Sequence, residues 1–256
     1  MRAFLAFTKK EIIEHIRSAR LAVLAIIFLL FGVMNPAVAK LTPFLMDMMA
    51  DTLSESGIMI TEVTVTAMDS WVQFFKNIPM ALIVFVLMEG SVFTREYQSG
   101  TLLLALSKGL DRRQVVLSKS IVLMLLWTAG YWLCWGVTYA YNAYFWDNSI
   151  ARHLGFSALC WWIFGLWVVA LMIVFSVLSK SGSGVLLGTG GVAFGTYFLS
   201  MIPKLTKYLP ARLADGNSLI YGAAETDTYA TALIVTGLTG LFCLVVSLPV
   251  FNKRQL

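Results

Sequence analysis

What this chain has little of is charge. Lys, Arg, Asp and Glu make up 13% of its 256 residues, against 59% hydrophobic, where an ordinary soluble domain carries roughly a quarter charged residues. Groups for chemistry are scarce too. The two histidines, His15 and His153, are expected on opposite sides of a membrane, so they cannot share a metal. Cys134, Cys160 and Cys243 all fall inside apolar runs, and an odd number of buried thiols reads as packing rather than a disulfide or zinc framework. There is no G-x-x-x-x-G-K-[ST] loop to cradle a nucleotide's phosphates and no H-E-x-x-H to hold a catalytic metal. No nucleophile has a recognisable base and orienting acid. The Gly182-x-Gly184-x-x-x-Gly188 string has the wrong spacing for a dinucleotide loop and lies in a hydrophobic run. The chain is therefore expected to carry no catalysis, cofactor or metal of its own.

Apolar runs are what it has in abundance. About 20 apolar residues match the roughly 30 Å hydrocarbon thickness of a bilayer, and six runs approach this: Leu21–Ala39, Ile78–Phe93, Val115–Ala143, Leu154–Leu178, Gly184–Ile202 and Tyr229–Val250. They consume most of the chain and predict one membrane domain over residues 1–256. The expected fold is an all-α integral membrane protein with six transmembrane helices. An amphipathic surface helix over 1–20 precedes them, and short re-entrant helices precede the last span. Seven charged residues stand before the first apolar run, which is not the pattern of a cleaved signal peptide.

Charge asymmetry orients the spans. With both termini inside, the inner segments hold 13 Lys/Arg and 5 Asp/Glu, and the outer segments 6 Lys/Arg and 9 Asp/Glu. That is the bias of the positive-inside rule, so both termini and the connection around 95–112 are expected in the cytoplasm. The net charge of +5 then reflects orientation, and nucleic acid is not implied.

At 100° per residue, Leu5, Ile12 and Ile16 fall on one face of the first helix, with Ile13 at its edge. Lys10, Glu14 and Arg17 take the opposite face. Two outer loops are expected, at 41–76 and 203–228. The first is acidic (Asp47, Asp51, Glu55, Glu62, Asp69), with Pro43 opening a short helix and Ile58–Thr66 extended in tendency. The second is punctuated by Pro203, Pro210 and Gly216, yet stays amphipathic.

Within the spans, Glu89 is the one ionisable residue of note, and intramembrane carboxylates are costly and often functional. Phe85 and Phe93, at i−4 and i+4, share its face, and the three are taken as a candidate translocation path. Gly184, Gly188, Gly191 and Gly195 recur at helical spacing and read as a helix-packing stripe. Aromatics crowd spans three and four, and those near 141–146 suit an interfacial belt.

One polar run interrupts the lipid-compatible sequence: Arg95-Glu96-Tyr97-Gln98-Ser99-Gly100-Thr101, then Asp111-Arg112-Arg113 and Lys119. Gly100 interrupts a short helix, Gly109 permits a reversal, and Asp111 can cap the next span. Leu102, Leu103, Leu104 and Leu106 between them are too apolar for open water. A plain basic turn explains the charges but not this combination.

These residues resemble the loop of permease subunits of the type-2 ATP-binding-cassette (ABC) exporters, of the bacterial peptide-export and immunity kind. That loop runs roughly E-Y-x-S-G-T, leucines, P-x-S-R and a lysine seven residues later. Glu96, Tyr97, Ser99, Gly100, Thr101, Arg112 and Lys119 match at unchanged spacing, while Gly109 and Asp111 replace the usual proline and serine. Asp69-Ser70-Trp71-Val72-Gln73-Phe74-Phe75-Lys76-Asn77 also looks like the family's lead-in to its second span. The resemblance implies a bacterial cell-membrane permease whose 95–112 segment is a cytoplasmic coupling helix. Glu96, Tyr97, Ser99, Gly100, Thr101, Asp111, Arg112 and Lys119 would meet a separate ATPase subunit that holds the ATP and Mg. A second copy, or a homologous permease, would complete the transporter. Amphipathic peptides rank first as cargo and small-molecule antibiotics next. A non-transporting membrane anchor or sensor for an ATPase, or a sodium- or proton-extruding permease, are the rivals.

Overall fold

The computed structural model describes residues 2–49, 64–98, 100, 106, 107, 109 and 111–253. Among these every regular element is helical. The main helices are α1 (Arg2–Arg17), α2 (Arg20–Met48), α3 (Ala67–Glu89), α4 (Val92–Gln98), α5 (Arg112–Phe145), α6 (Leu154–Leu178), α7 (Gly182–Ser200) and α8 (Ala230–Lys253). Five segments are long and apolar enough to cross a membrane: Arg20–Met48, Ala67–Thr94, Arg112–Phe145, Leu154–Leu178 and Thr226–Asn252. The protein is a multi-pass membrane protein. The expected fifth span, now α7, reaches 19 residues, but its six glycines dilute its apolar character and it is not one of the five.

Two span boundaries differ from the sequence reading. The first helix runs on to Met48 instead of ending near Ala39, with Pro36 and Pro43 inside it. Pro43 therefore opens no new helix. A proline lacks the N–H that would bond four residues back, which strands the Gly32 carbonyl opposite Pro36. The Thr138 hydroxyl of α5 donates to that carbonyl at 3.0 Å, so a neighbouring helix supplies the missing donor. The second helix starts at Ala67, well before Ile78. The Asp69 carboxylate fixes this start by accepting from the Thr66 backbone N–H at 2.8 Å and its hydroxyl at 3.1 Å. Lys76 and Asn77 hide the span from a hydropathy scan, yet Asn77 Nδ2 donates to Asn35 Oδ1 of α2 at 2.9 Å. The stretch 51–63, with Asp51, Glu55, Glu62 and most of the expected extended run, lies outside the described residues.

Helix α2 packs on α3 and α5, and α6 packs on α8, α7 and α5. At the centre, Trp127 of α5 meets Phe28, Phe85 and Tyr131 at ring separations of 5.5–5.9 Å. Its indole lies over Gly165 of α6, where a Cβ would come within 2.1 Å of the ring. Helices α5 and α6 are also hydrogen-bonded, Trp127 Nε1 to the Trp162 carbonyl and the Tyr131 hydroxyl to the Ala158 carbonyl. Cys134, Cys160 and Cys243 are free, and the first two are buried.

The segment before α8 folds into short helical pieces, Pro203–Thr206, Pro210–Ala214, Gly216–Ile220 and Thr226–Tyr229. Leu213, Leu219, Ile220 and Tyr229 are buried beneath them. Arg212 pairs with Asp215 and lies over the Tyr229 ring, whose hydroxyl donates to the Asp215 carbonyl. These pieces close one end of the bundle, opposite the end that carries α1 and α4.

Candidate functional site: a charge ring and an apolar groove

At the α1 end, four side chains close into a ring. Glu11 of α1 and Glu96 of α4 each bridge the same two ammonium groups. Lys119 Nζ lies 2.7 Å from Glu11 Oε2 and 3.2 Å from Glu96 Oε2, and Lys10 Nζ lies 3.0 Å from Oε1 of both. Lys119 and Glu11 are almost fully buried. Lys119 sits two turns into α5, so its charge is tolerable only because it is paired. The rings of Phe93 and Phe7 flank its ammonium at 5.6 and 6.0 Å. A further tie joins α1 to α5, from the Ser118 hydroxyl to the Thr8 hydroxyl at 2.9 Å.

The ring ties α1 to α4 and α5, which lie far from it in sequence, and two of its four members, Glu96 and Lys119, are motif residues. Gly100 and Gly109, at φ 68° and 85°, take the left-handed conformation that the reversal requires. Asp111 caps α5 by accepting from the Arg113 N–H at 3.0 Å. Arg112 Nη1 donates to the Asn252 carbonyl near the end of α8 at 3.2 Å, apart from the ring. Ser99, Thr101, Leu102, Leu103, Leu104 and the Tyr97 side chain lie outside the described residues.

Helix α1 is amphipathic as expected, but it faces the bundle unexpectedly. Leu5, Ile12 and Ile16 are exposed, while Glu11 and His15, between the apolar and charged faces, are the buried ones. In a membrane protein bare apolar residues face lipid, and polar groups turn inward to each other. His15 is the other half of Glu89: His15 Nε2 lies 3.1 Å from Glu89 Oε2. Neither Glu11 nor His15 was singled out from sequence, and the available signal was their i, i+4 spacing beside the lipid face. Outside the ring, Lys10 also pairs with Glu14 at 2.7 Å. Partial burial favours the neutral carboxyl, but this bond and the nearby charge of Lys10 hold Glu14 below its ordinary pKa. Burial likewise opposes the charge on Lys10, yet its carboxylate partners hold it above the ordinary lysine value.

The carboxylates of Glu11, Glu14 and Glu96 lie close enough together to hold a metal ion. The Lys10 ammonium bonds all three, so a cation would have to displace it.

Phe85 and Glu89 share a face of α3, Phe93 stands on α4 beyond the turn at Gly90 and Ser91, and all three are buried in the bundle interior. Phe85 packs on Trp127, and Phe93 on Lys119. The adjoining face of α3 lines a cavity of about 710 Å³ with α6 and α7, walled by Met80, Ile83, Leu87, Trp161, Phe164 and Phe194 among others. Gly190 and Thr189 of α7 open onto it. The glycine stripe divides: Gly188 admits the Phe175 ring and Gly184 the Ser179 side chain, whereas a Cβ on Gly191 or Gly195 would meet nothing within 4 Å.

Comparison with known proteins agrees with this architecture. The chain is 26% identical over 270 residues to an uncharacterised transmembrane protein, YxlG, of Bacillus subtilis (strain 168), covering 100% of this chain and 99% of that one. Residues 5–212 match the model of the ABC-2 family transporter proteins, a stretch that takes in α1, the charge ring and the groove. The chain belongs to that family, the membrane-spanning permeases of ABC transporters.

Proposed function

We propose that this chain is the membrane half of an ATP-driven exporter, moved by a separate ATPase subunit that presses on α4. The carrying observation is the ring: Glu96, in the motif of the α4 turn, is bonded at once to α5 through Lys119 and to α1 through Lys10. A displacement of α4 is thereby passed to two other elements. The end holding α1, α4 and the close of α8 faces the cytoplasm, on the charge count. Helix α7 completes a sixth crossing when a second permease packs against it, its open Gly191 and Gly195 face being available for that contact. ATP and Mg belong to the partner.

The groove supports the cargo class. Its walls are almost wholly apolar, which suits the hydrocarbon part of an amphipathic peptide or antibiotic and offers a hydrated ion little beyond the Thr189 and Tyr197 hydroxyls. Glu89, the one carboxylate that an ion route would use, is turned away from it and paired with His15. We rank amphipathic peptides first.

The test is reconstitution with the cognate ATPase in vesicles. Cargo-stimulated ATP hydrolysis and peptide efflux are expected with the native chain. Glu96→Ala should lower stimulation at least tenfold while leaving basal hydrolysis unchanged. Intact coupling in Glu96→Ala refutes the transmission role, and an ATPase that ignores every peptide but responds to sodium refutes the cargo class.

A further inference from the structure

His15 Nδ1 lies 2.9 Å from the Glu11 carbonyl oxygen. A carbonyl oxygen only accepts, so Nδ1 carries a hydrogen. In a neutral ring Nε2 is then bare, and it faces Glu89 Oε2 at 3.1 Å. Two acceptors do not bond. The contact exists only with a proton between them, carried either by Nε2 beside an ionised carboxylate or by the carboxyl beside a neutral ring. In both forms the pair holds one proton more than a neutral histidine and an ionised glutamate hold apart.

The surroundings favour retaining it. His15 is 4% exposed and Glu89 1%, and Glu89 Oε1 has no partner among the described residues. The charged groups gathered here are Lys10, Glu11 and Glu14 of α1, Glu89 of α3, Glu96 of α4 and Lys119 of α5. Two lysines balance Glu11 and Glu96. Among the described side chains nothing balances Glu89 except the proton it shares with His15, and Glu14 adds a further negative charge nearby. Arg17 and Arg20 stand at the corner between α1 and α2, Arg17 exposed and Arg20 partly buried.

We propose that His15 and Glu89 form a buried proton-binding site, and that the proton held there latches the N-terminal helix to the end of the second span. Loaded, the site docks α1; empty, it leaves a carboxylate facing a bare ring nitrogen and α1 loosens. The proposal concerns the permease alone and does not depend on an ATPase partner.

The pH dependence has a fixed sign. Burial by itself lowers the affinity of His15 for a proton. The bond to Glu89, the Glu11 carbonyl and the charges of Glu89 and Glu11 outweigh it and hold His15 above its ordinary value. The latch is thus at full strength below the ordinary histidine pKa near 6.5 and is lost as pH rises through the raised value of the docked state.

With only two histidines in the chain, His153→Asn leaves His15 as the sole ring reporter. His153 is partly exposed, with φ 47°, a conformation that asparagine tolerates. In that background, ring signals of 13C-labelled His15 in detergent-solubilised permease should titrate with a midpoint above that of free histidine. Amide hydrogen exchange of α1, corrected for intrinsic rates, should show protection falling at least tenfold from pH 6 to pH 9. Glu89→Gln keeps the latch without the extra proton, because the amide donates to the bare Nε2; its α1 protection should be flat across that range. Glu89→Ala should be unprotected at both ends. A His15 midpoint at or below that of free histidine overturns the proposal. So does wild-type protection that ignores pH, or a Glu89→Gln profile that falls as wild type does.

Discussion

Two polar clusters fasten this bundle, and α5 belongs to both. At one end Lys119 joins the charged ring of Glu11, Glu96 and Lys10. Nineteen residues along, about 28 Å at the helical rise, Thr138 accepts from Asn35 Nδ2, and Asn35 accepts from Asn77. The first cluster consists of full charges on movable side chains and includes a helix of only seven residues, α4. The second consists of neutral amides and a hydroxyl on three long helices. Charges respond to a proton or a pressing partner, whereas buried neutral amides have no state to change. The contrast separates a joint from a rivet.

The largest expected effect comes from Lys119→Met. Breaking a buried ion pair costs several kcal/mol, and here about 3, since Lys10 still faces both carboxylates. Unfolding of the permease in mixed micelles should show that loss, and Glu11→Gln added to Lys119→Met should recover part of it. An additive double variant would mean that the ring is four independent contacts. Asn35→Leu comes next. It removes the hub between Asn77 and Thr138 and should cost about 1–2 kcal/mol, equally at pH 6 and pH 9. A pH-dependent cost would erase the distinction between the clusters. The smallest effect belongs to Glu14→Gln. Its pair with Lys10 is half exposed, so the change should cost less than about 1 kcal/mol and vanish at high salt.

How much the sequence disclosed follows the same divide. Apolar runs disclosed the helical membrane class, since length against bilayer thickness is a local property. The resemblance of the 95–119 run to a family loop pointed to Glu96 and Lys119, because the residues that carry it stand close together in the chain. Glu11, the partner of Lys119, and His15, the partner of Glu89, were hidden, since pairings across 108 and 74 residues leave no trace in periodicity. Phe85, Glu89 and Phe93 could be placed on one face but not aimed: α3 has a ring-ward face and a groove-ward face, both apolar. The glycines of α7 could be set at helical spacing but not assigned to neighbours for a similar reason, because spacing cannot say which of them a neighbour fills.

The lipid-facing isoleucines of α1 bear on the order in which the protein is made. Glu11 leaves the ribosome 108 residues ahead of Lys119, a wait on the order of ten seconds at ordinary elongation rates. Throughout that interval the helix has nowhere to bury its inward face. Parked on the bilayer by Leu5, Ile12 and Ile16, it can keep Glu11 and His15 in water until the later helices arrive. Helix α1, translated before the spans it packs on, is then among the last to dock, and a change that strips its lipid face would be felt during biogenesis before it was felt in transport.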